Sequence, residues 1–151
     1  MSVIELAHVV LYVRDAKASG AFYGDVLGWP VVATIDLGGT RAVAFSAGRT
    51  HHELLLIEVG PDAAPLPAGR RLGMYHFGIK VGDTDDELRA MLRRLLDHHV
   101  TVVGSADHTI THSLYVLDPD GNEIELYTDV AGVDWTANPE TIVAQIRPLR
   151  M

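Results

Sequence analysis

The sequence contains no cysteine, although it contains eight histidines. The absence of cysteine excludes disulfide bonds, thiolate metal sites, iron–sulfur clusters and a cysteine nucleophile. Any metal ion bound by this chain must therefore be held by nitrogen and oxygen ligands.

Basic residues are also scarce, because 12 Lys and Arg stand against 20 Asp and Glu, for a net charge of -8. This acidic balance disfavours nucleic acid and anionic membrane surfaces as partners. No apolar run approaches the roughly 20 residues of a membrane-spanning helix. The first residues read as a strand and lack the basic start of a signal peptide. We therefore expect a cytoplasmic globular protein.

The chain repeats one layout, in segments 6–15 and 74–83. In each segment a histidine, His8 or His76, lies early in an apolar run, five residues before a valine and seven before an aspartate. Each segment then passes into a helical pattern and three strand-like runs. Each half of the chain is therefore predicted to be a βαβββ module.

These two modules predict an α+β fold with tandem repeats. The modules occupy about 1–60 and 73–131 of a single domain, with a proline-rich linker at 61–72 and a C-terminal tail at 132–151. Asp15 is expected to cap the first helix. The residues predicted to face inward from that helix are Ala18, Ala21, Phe22 and Val26.

Strand alternation places the polar side chains of both modules on the sheet face turned away from the helices. His8 shares this face with the apolar residues Val10 and Tyr12, which favours a curved sheet that closes over a cleft. Two imidazoles and one carboxylate on such a cleft form the facial ligand set of non-haem Fe(II) sites. By spacing alone, the third ligand is Glu125, Glu123 or Glu58.

Three stretches together resemble the vicinal oxygen chelate superfamily: the His8 strand, the His76 strand and Asp118-Pro-Asp-Gly-Asn-Glu-Ile-Glu125-Leu-Tyr. That superfamily includes glyoxalase I, extradiol catechol dioxygenases, fosfomycin-resistance transferases and bleomycin-binding proteins. The resemblance covers residues 1 to about 130. It implies two tandem βαβββ modules that form a curved half-open barrel around a metal, with His8, His76 and Glu125 as the ligands.

Three further residues resemble those of type I extradiol catechol dioxygenases. His52 matches a histidine that opens the strand before the linker, and His108 matches one that follows a short loop before the penultimate strand. Tyr115, ten residues before Glu125, matches a tyrosine at that spacing. His112 is the alternative to His108, because the segment from His108 to Tyr115 is shorter than in two-domain relatives.

The resemblance implies an Fe(II)-dependent extradiol dioxygenase of aromatic catabolism, with Mn(II) or another divalent ion as the alternative metal. Its substrates would be a catechol-type diol and O2, and its product a ring-opened semialdehyde or keto acid. His52 would accept and return a proton, and His108 and Tyr115 would hydrogen-bond the diol oxygens. A short domain with exposed module edges also predicts a homodimer or a larger homo-oligomer.

Two other functions remain open. A glyoxalase I-like lyase or isomerase uses a fourth ligand on the last strand of the first module, a position that Glu58 could fill. A metal-free binding protein of the bleomycin-resistance type would bind its ligand in an apolar crevice. The remaining histidines, His51, His98 and His99, are expected at the surface.

Overall fold

The computed structural model describes residues 2–150, and the described chain divides after Leu66 into two compact units. The first unit contains β1 (Val9–Val13), α1 (Ala16–Ala21), β2 (Val31–Leu37), β3 (Thr40–Phe45) and β4 (Leu54–Glu58). Its four strands form one sheet in the order β1-β4-β3-β2, in which β1 and β4 are parallel and the other pairs antiparallel.

The second unit repeats this arrangement. It contains β5 (His76–Gly82), α2 (Asp85–Asp97), β6 (Val102–Asp107), β7 (Thr111–Leu117) and β8 (Glu123–Asp129). The sheet order is β5-β8-β7-β6, and β5 pairs with β8 in parallel. The predicted α+β fold with a repeated βαβββ order is therefore confirmed. Both sheets are open across residues 2–150, and their strands do not close into a barrel.

The first helix begins as predicted, because Asp15 Oδ1 accepts hydrogen bonds from the amides of Lys17 and Ala18. Its predicted inward face was partly wrong, since Ala18 and Ala21 are exposed. A π-helical turn at Phe22–Val26 follows α1 directly. Its first two residues, Phe22 and Tyr23, are both buried. The buried residues of this segment are Ala16, Ser19, Phe22 and Tyr23.

The second helix is amphipathic, and its N-terminus carries a variant of the capping box. Thr84 Oγ1 accepts a hydrogen bond from the Glu87 amide, and Glu87 Oε2 accepts one from the Asp83 amide. Leu88 and Leu95 are fully buried, so α2 packs on the inner face of its sheet. The sheet residues on that face are Leu114, Val116, Ile124 and Leu126, and each is at most 1% exposed.

Two segments lie outside the repeated modules. The C-terminal segment contains a 3-10 helix at Pro139–Val143, and Arg147 forms two 2.9 Å backbone hydrogen bonds with Asp107 at the end of β6. Among the described residues, α2 is the longest helix. No helix in this part of the chain has the length and hydrophobicity needed to span a membrane.

Candidate active site

The second unit brings a histidine and a glutamate from two neighbouring strands together. In the parallel pairing of β5 and β8, His76 aligns with Glu123, and Gly78 aligns with Glu125. His76 Nε2 lies 3.3 Å from Glu125 Oε2. Both side chains are largely buried, with His76 25% and Glu125 17% exposed.

The second oxygen of Glu125 is held by β7. Its Oε1 atom accepts a 2.6 Å hydrogen bond from Ser113 Oγ and a 3.3 Å hydrogen bond from the Tyr115 hydroxyl. Tyr115 is directly opposite Glu125 in the antiparallel pairing of β7 and β8. Ser113 and Tyr115 share a face because side chains two apart on a strand point the same way.

His108 completes this group, since its Nε2 atom lies 2.6 Å from the Tyr115 hydroxyl. It is presented by the tight turn between β6 and β7, in which Thr109 adopts a positive φ of 74°. His112, the alternative to His108, lies on β7 with the opposite side-chain direction and binds Asp85 at the start of α2. The structure therefore brings His108, and not His112, to Tyr115.

The tyrosine is protonated in this environment. Burial raises the pKa of Tyr115 well above its usual value, and the neighbouring Glu125 carboxylate raises the pKa further because it repels a phenolate. Tyr115 therefore retains its hydroxyl proton near neutral pH and can donate it in a hydrogen bond.

The first unit holds a separate cluster of three imidazoles. The ring centroid of His8 is 4.5 Å from that of His52, and the His52 ring is 4.4 Å from that of His51. Burial lowers the pKa of His52, and the neighbouring His51 and His8 act in the same direction. His52 is therefore neutral near pH 7 and able to accept a proton.

His52 reaches His8 from a turn and not from a strand. The prediction began β4 near residue 52, but the strand begins at Leu54, and residues 46–53 form an irregular turn. Glu53 anchors this turn by accepting hydrogen bonds from the amides of Ala47 and Arg49. His52 therefore precedes the strand that it was predicted to open.

The two other candidate glutamates, Glu58 and Glu123, have different neighbours. Glu58 Oε2 accepts a 2.9 Å hydrogen bond from the amide of Ala16, the first residue of α1. Glu58 thus lies on the helix side of its sheet, like the fully buried Leu54 and Leu56. Glu123 Oε1 lies 3.4 Å from Nδ1 of His76, on the ring edge opposite Glu125.

The donor atoms around Glu125 suit a divalent metal ion. Two ligands bound at right angles to one ion, each at about 2.1 Å, stand about 3 Å apart, close to the 3.3 Å between His76 Nε2 and Glu125 Oε2. Gly78 lies opposite Glu125, and a Cβ on it would come within 3.2 Å of the Tyr127 ring, so the missing side chain lets Tyr127 pack against β5. Within the described part of the chain, however, no three His, Asp or Glu side chains are already grouped as a metal site.

Two members of these clusters, Ser113 and His51, have contacts that the sequence pattern did not predict. Strand alternation puts Ser113 on the same face as Tyr115, but no motif marks it as a partner of Glu125. His51, expected at the surface, is exposed but has its Nδ1 atom 2.6 Å from Nδ1 of His52. The signal that could have identified Ser113 is its position two residues before Tyr115 on the same strand, which puts both hydroxyls on the face of Glu125.

Comparison with known families finds one matching family model. The model described as Glyoxalase/Bleomycin resistance protein/Dioxygenase superfamily matches residues 5–126. The chain also resembles the fold of a glyoxylase/bleomycin resistance protein/dioxygenase domain from Frankia sp. EAN1pec. The TM-score is 0.71 at 20% identity, over 85% of this chain and 100% of that domain.

Two curated relatives are dioxygenases by name. A catechol-2,3-dioxygenase of Bacillus subtilis (strain 168) is 34% identical over 135 residues, which are 89% of this chain and 45% of that protein. Biphenyl-2,3-diol 1,2-dioxygenase 3 of Rhodococcus globerulus is 32% identical over 130 residues, covering 82% of this chain and 63% of that protein. The chain thus spans about half of the first relative's length and less than two thirds of the second's.

Proposed function

Since the chain belongs to the glyoxalase/bleomycin resistance protein/dioxygenase superfamily, we propose that it is an extradiol dioxygenase that cleaves the ring of a catechol-type aromatic diol with O2. One observation carries this proposal: the Glu125 carboxylate lies between His76 on one side and the Ser113 and Tyr115 hydroxyls on the other, with His108 next to Tyr115. The names of the two curated relatives support the same reaction class.

The proposed ligands are His8, His76 and Glu125, with Fe(II) as the metal. Two imidazole nitrogens and one carboxylate oxygen form the facial set that leaves one side of an octahedral ion open. A bound Fe(II) would supply adjacent open positions for the diol and for O2 and would transfer electron density between them. Ser113 supports this role of Glu125, because its hydrogen bond to Oε1 leaves Oε2 directed toward His76.

Tyr115 and His108 are proposed to hold the substrate's oxygens. The raised pKa of Tyr115 keeps its hydroxyl protonated, so on substrate binding it can redirect its hydrogen bond from Glu125 Oε1 to a deprotonated diol oxygen. The 2.6 Å contact between His108 Nε2 and that hydroxyl fixes where it points. A substrate that is already oriented by these hydrogen bonds loses less entropy on the way to the transition state.

His52 is the proposed proton carrier. It is neutral near pH 7, because burial lowers its pKa, and it lies against His8 in the first unit. A neutral imidazole accepts the proton that the diol loses on binding and returns it later in the reaction. For this role, His52 must pass through both its neutral form, which accepts a proton, and its protonated form, which donates one, within one turnover.

The test is reconstitution of the purified chain with Fe(II) without air, followed by a panel of catechols and O2. We expect O2 uptake matched by a coloured ring-opened product. His52→Ala should abolish product formation while iron stays bound, and His98→Ala, at the end of α2, is the matched control. No O2 uptake with any catechol, in protein that has bound iron, would reject the proposal.

The geometry of Glu58 favours this proposal over a glyoxalase I-like function. That function needs a fourth protein ligand, for which Glu58 was the candidate. Because Glu58 hydrogen-bonds the Ala16 amide on the helix side, the three-ligand arrangement of a dioxygenase is favoured. Metal analysis of freshly purified protein tests the third function, a metal-free binding protein.

The proposal includes a homodimer or a larger assembly. Several large apolar side chains of the first unit are exposed, including Val31 and Val32 on the edge strand β2 at 51% and 52%. Exposed apolar surface of this kind is typical of association sites. Sedimentation equilibrium should therefore give a mass at least twice the 16.4 kDa of one chain.

A further inference from the structure

His76 lies between two carboxylates, only one of which has a place in the proposed site. Glu125 Oε2 is 3.3 Å from Nε2, and Glu123 Oε1 is 3.4 Å from Nδ1. The Nδ1 atom is buried, yet it forms no hydrogen bond with any residue from 2 to 150. The distance to Glu123 is slightly longer than an ordinary N–H···O hydrogen bond.

Glu123 is itself held in place beside this nitrogen. The parallel register of β5 and β8 aligns Glu123 with His76, and Glu123 also lies close enough to the Tyr75 phenol to raise the pKa of that group. The Glu123 side chain is 23% exposed, so water has limited access to it. A small rotation of the carboxylate or the imidazole would convert the 3.4 Å approach into a hydrogen bond.

We infer that Glu123 is a positioning residue for His76, accepting a hydrogen bond from Nδ1–H. A neutral imidazole carries one ring proton, and an acceptor at Nδ1 places that proton on Nδ1 and leaves the Nε2 lone pair free. Carboxylates paired in this way with metal-binding histidines fix both the tautomer and the ring orientation. The inference rests on the proposed function, because it gives Nε2 of His76 a metal to bind.

The same geometry gives Glu123 and Glu125 different roles. The two ring nitrogens of His76 point in different directions, and each faces a different carboxylate. A metal on Nε2 therefore lies on the Glu125 side, which leaves Glu123 on the far edge of the ring. Assigning the metal to Nε2 therefore makes Glu125 the ligand and leaves Glu123 as the acceptor at Nδ1.

The experiment measures metal affinity and does not depend on turnover. Affinity for Co(II) and Fe(II) is determined anaerobically by competition with a chromophoric chelator for wild type, Glu123→Leu, Glu123→Ala and Glu123→Gln. Loss of the acceptor in Glu123→Leu and Glu123→Ala should weaken binding about 10- to 100-fold. Glu123→Gln keeps a carbonyl acceptor and should recover most of the affinity. Glu140→Leu, at an exposed tail position, controls for the lost charge.

A spectroscopic readout separates positioning from a general structural effect. In Zn(II)-loaded protein labelled with 15N-histidine, wild type and Glu123→Gln should show a His76 Nδ1–H protected from solvent exchange, and Glu123→Leu should lose it. Thermal melts identify any variant that fails to fold. If Glu123→Leu does not fold, Glu123→Ala replaces it in the comparison.

The outcomes distinguish this inference from the proposed function. If wild type binds metal and the leucine and alanine variants bind it equally well, the positioning role is rejected and the dioxygenase proposal stands. If Glu123→Leu abolishes binding as completely as Glu125→Ala does, and glutamine fails to restore it, Glu123 is a ligand and the inference is wrong. If wild type binds no divalent metal, both are rejected.

Discussion

Ser113 Oγ donates a 2.6 Å hydrogen bond to Oε1 of Glu125 across the β7–β8 ladder. Ser113 is fully buried, so water does not compete for this bond. With Oε1 occupied by Ser113 and Tyr115, the other oxygen of Glu125 is the one that faces His76. A hydroxyl that contacts no proposed substrate thus determines the direction of a proposed metal ligand.

Ser113→Ala should weaken divalent-metal binding by about 10-fold, because residues that orient a metal ligand typically contribute that much to affinity. Affinity is measured by chelator competition, with the exposed Ser105→Ala on β6 as control. Equal affinities for wild type and Ser113→Ala would show that the hydrogen bond does not orient Glu125.

Tyr115→Phe should lower kcat of ring cleavage by about 100-fold while Fe(II) affinity changes little. The variant removes the hydroxyl that contacts both His108 and Glu125 but keeps the ring. Stopped-flow measurement of product colour gives kcat, and Tyr127→Phe removes a hydroxyl from the adjacent strand as a control. An unchanged kcat would remove Tyr115 from the proposed mechanism.

The pairing of His112 with Asp85 should contribute to stability and not to activity. His112 Nδ1 lies 2.6 Å from Asp85 Oδ1, which links β7 to the start of α2. Since Asp85 is 46% exposed, we expect His112→Asn to cost only about 1 kcal/mol in the free energy of unfolding. Urea denaturation of His112→Asn, Asp85→Asn and the double variant gives the coupling energy. A loss of ring cleavage in His112→Asn would contradict the placement of this residue outside the site.

Glu53 should make the turn that carries His51 and His52 sensitive to acid. Burial would raise the pKa of Glu53, but hydrogen bonds from the amides of Ala47 and Arg49 and from the Trp29 indole outweigh it and lower the pKa below its ordinary value of 4.5. A carboxyl with a lowered pKa stabilises the fold above its unfolded-state pKa, and this stabilisation is lost as the pH falls through the folded-state pKa.

The measurement for Glu53 is urea denaturation of wild type and Glu53→Gln from pH 7 down to pH 3. Wild type should be the more stable at pH 7, and the difference should shrink as the pH falls below about 4.5. A difference that stays constant over this range would show that the ionised carboxylate does not stabilise the turn.

Thr109→Gly should stabilise the protein by about 1 kcal/mol, because a β-branched residue at positive φ is strained and glycine is not. Thr109 has a φ of 74°, and its amide hydrogen-bonds Asp107 Oδ1 at 2.7 Å. Thr34→Gly, in the interior of β2, should destabilise it and is the matched control. Melting temperatures check both, and a lower melting temperature for Thr109→Gly would show that the turn is not strained.

The repeat of His8 and His76 and the period-two alternation of the strands were readable from the sequence. They correctly predicted the α+β fold, the order of elements in both halves, and the face shared by Tyr115 and Glu125. These features are local, because strand period and turn chemistry depend on neighbours a few residues away.

The sequence by itself determined the residue types of the candidate site and the strands that carry His76, Tyr115 and Glu125. Only the tertiary structure decided which of His108 and His112 meets Tyr115, that Glu58 binds the start of α1, and that His51 lies against His52. The physical reason is that these choices depend on side-chain direction in turns and at strand ends. There no fixed period applies, and hydrogen bonds from segments distant in sequence select one direction among several.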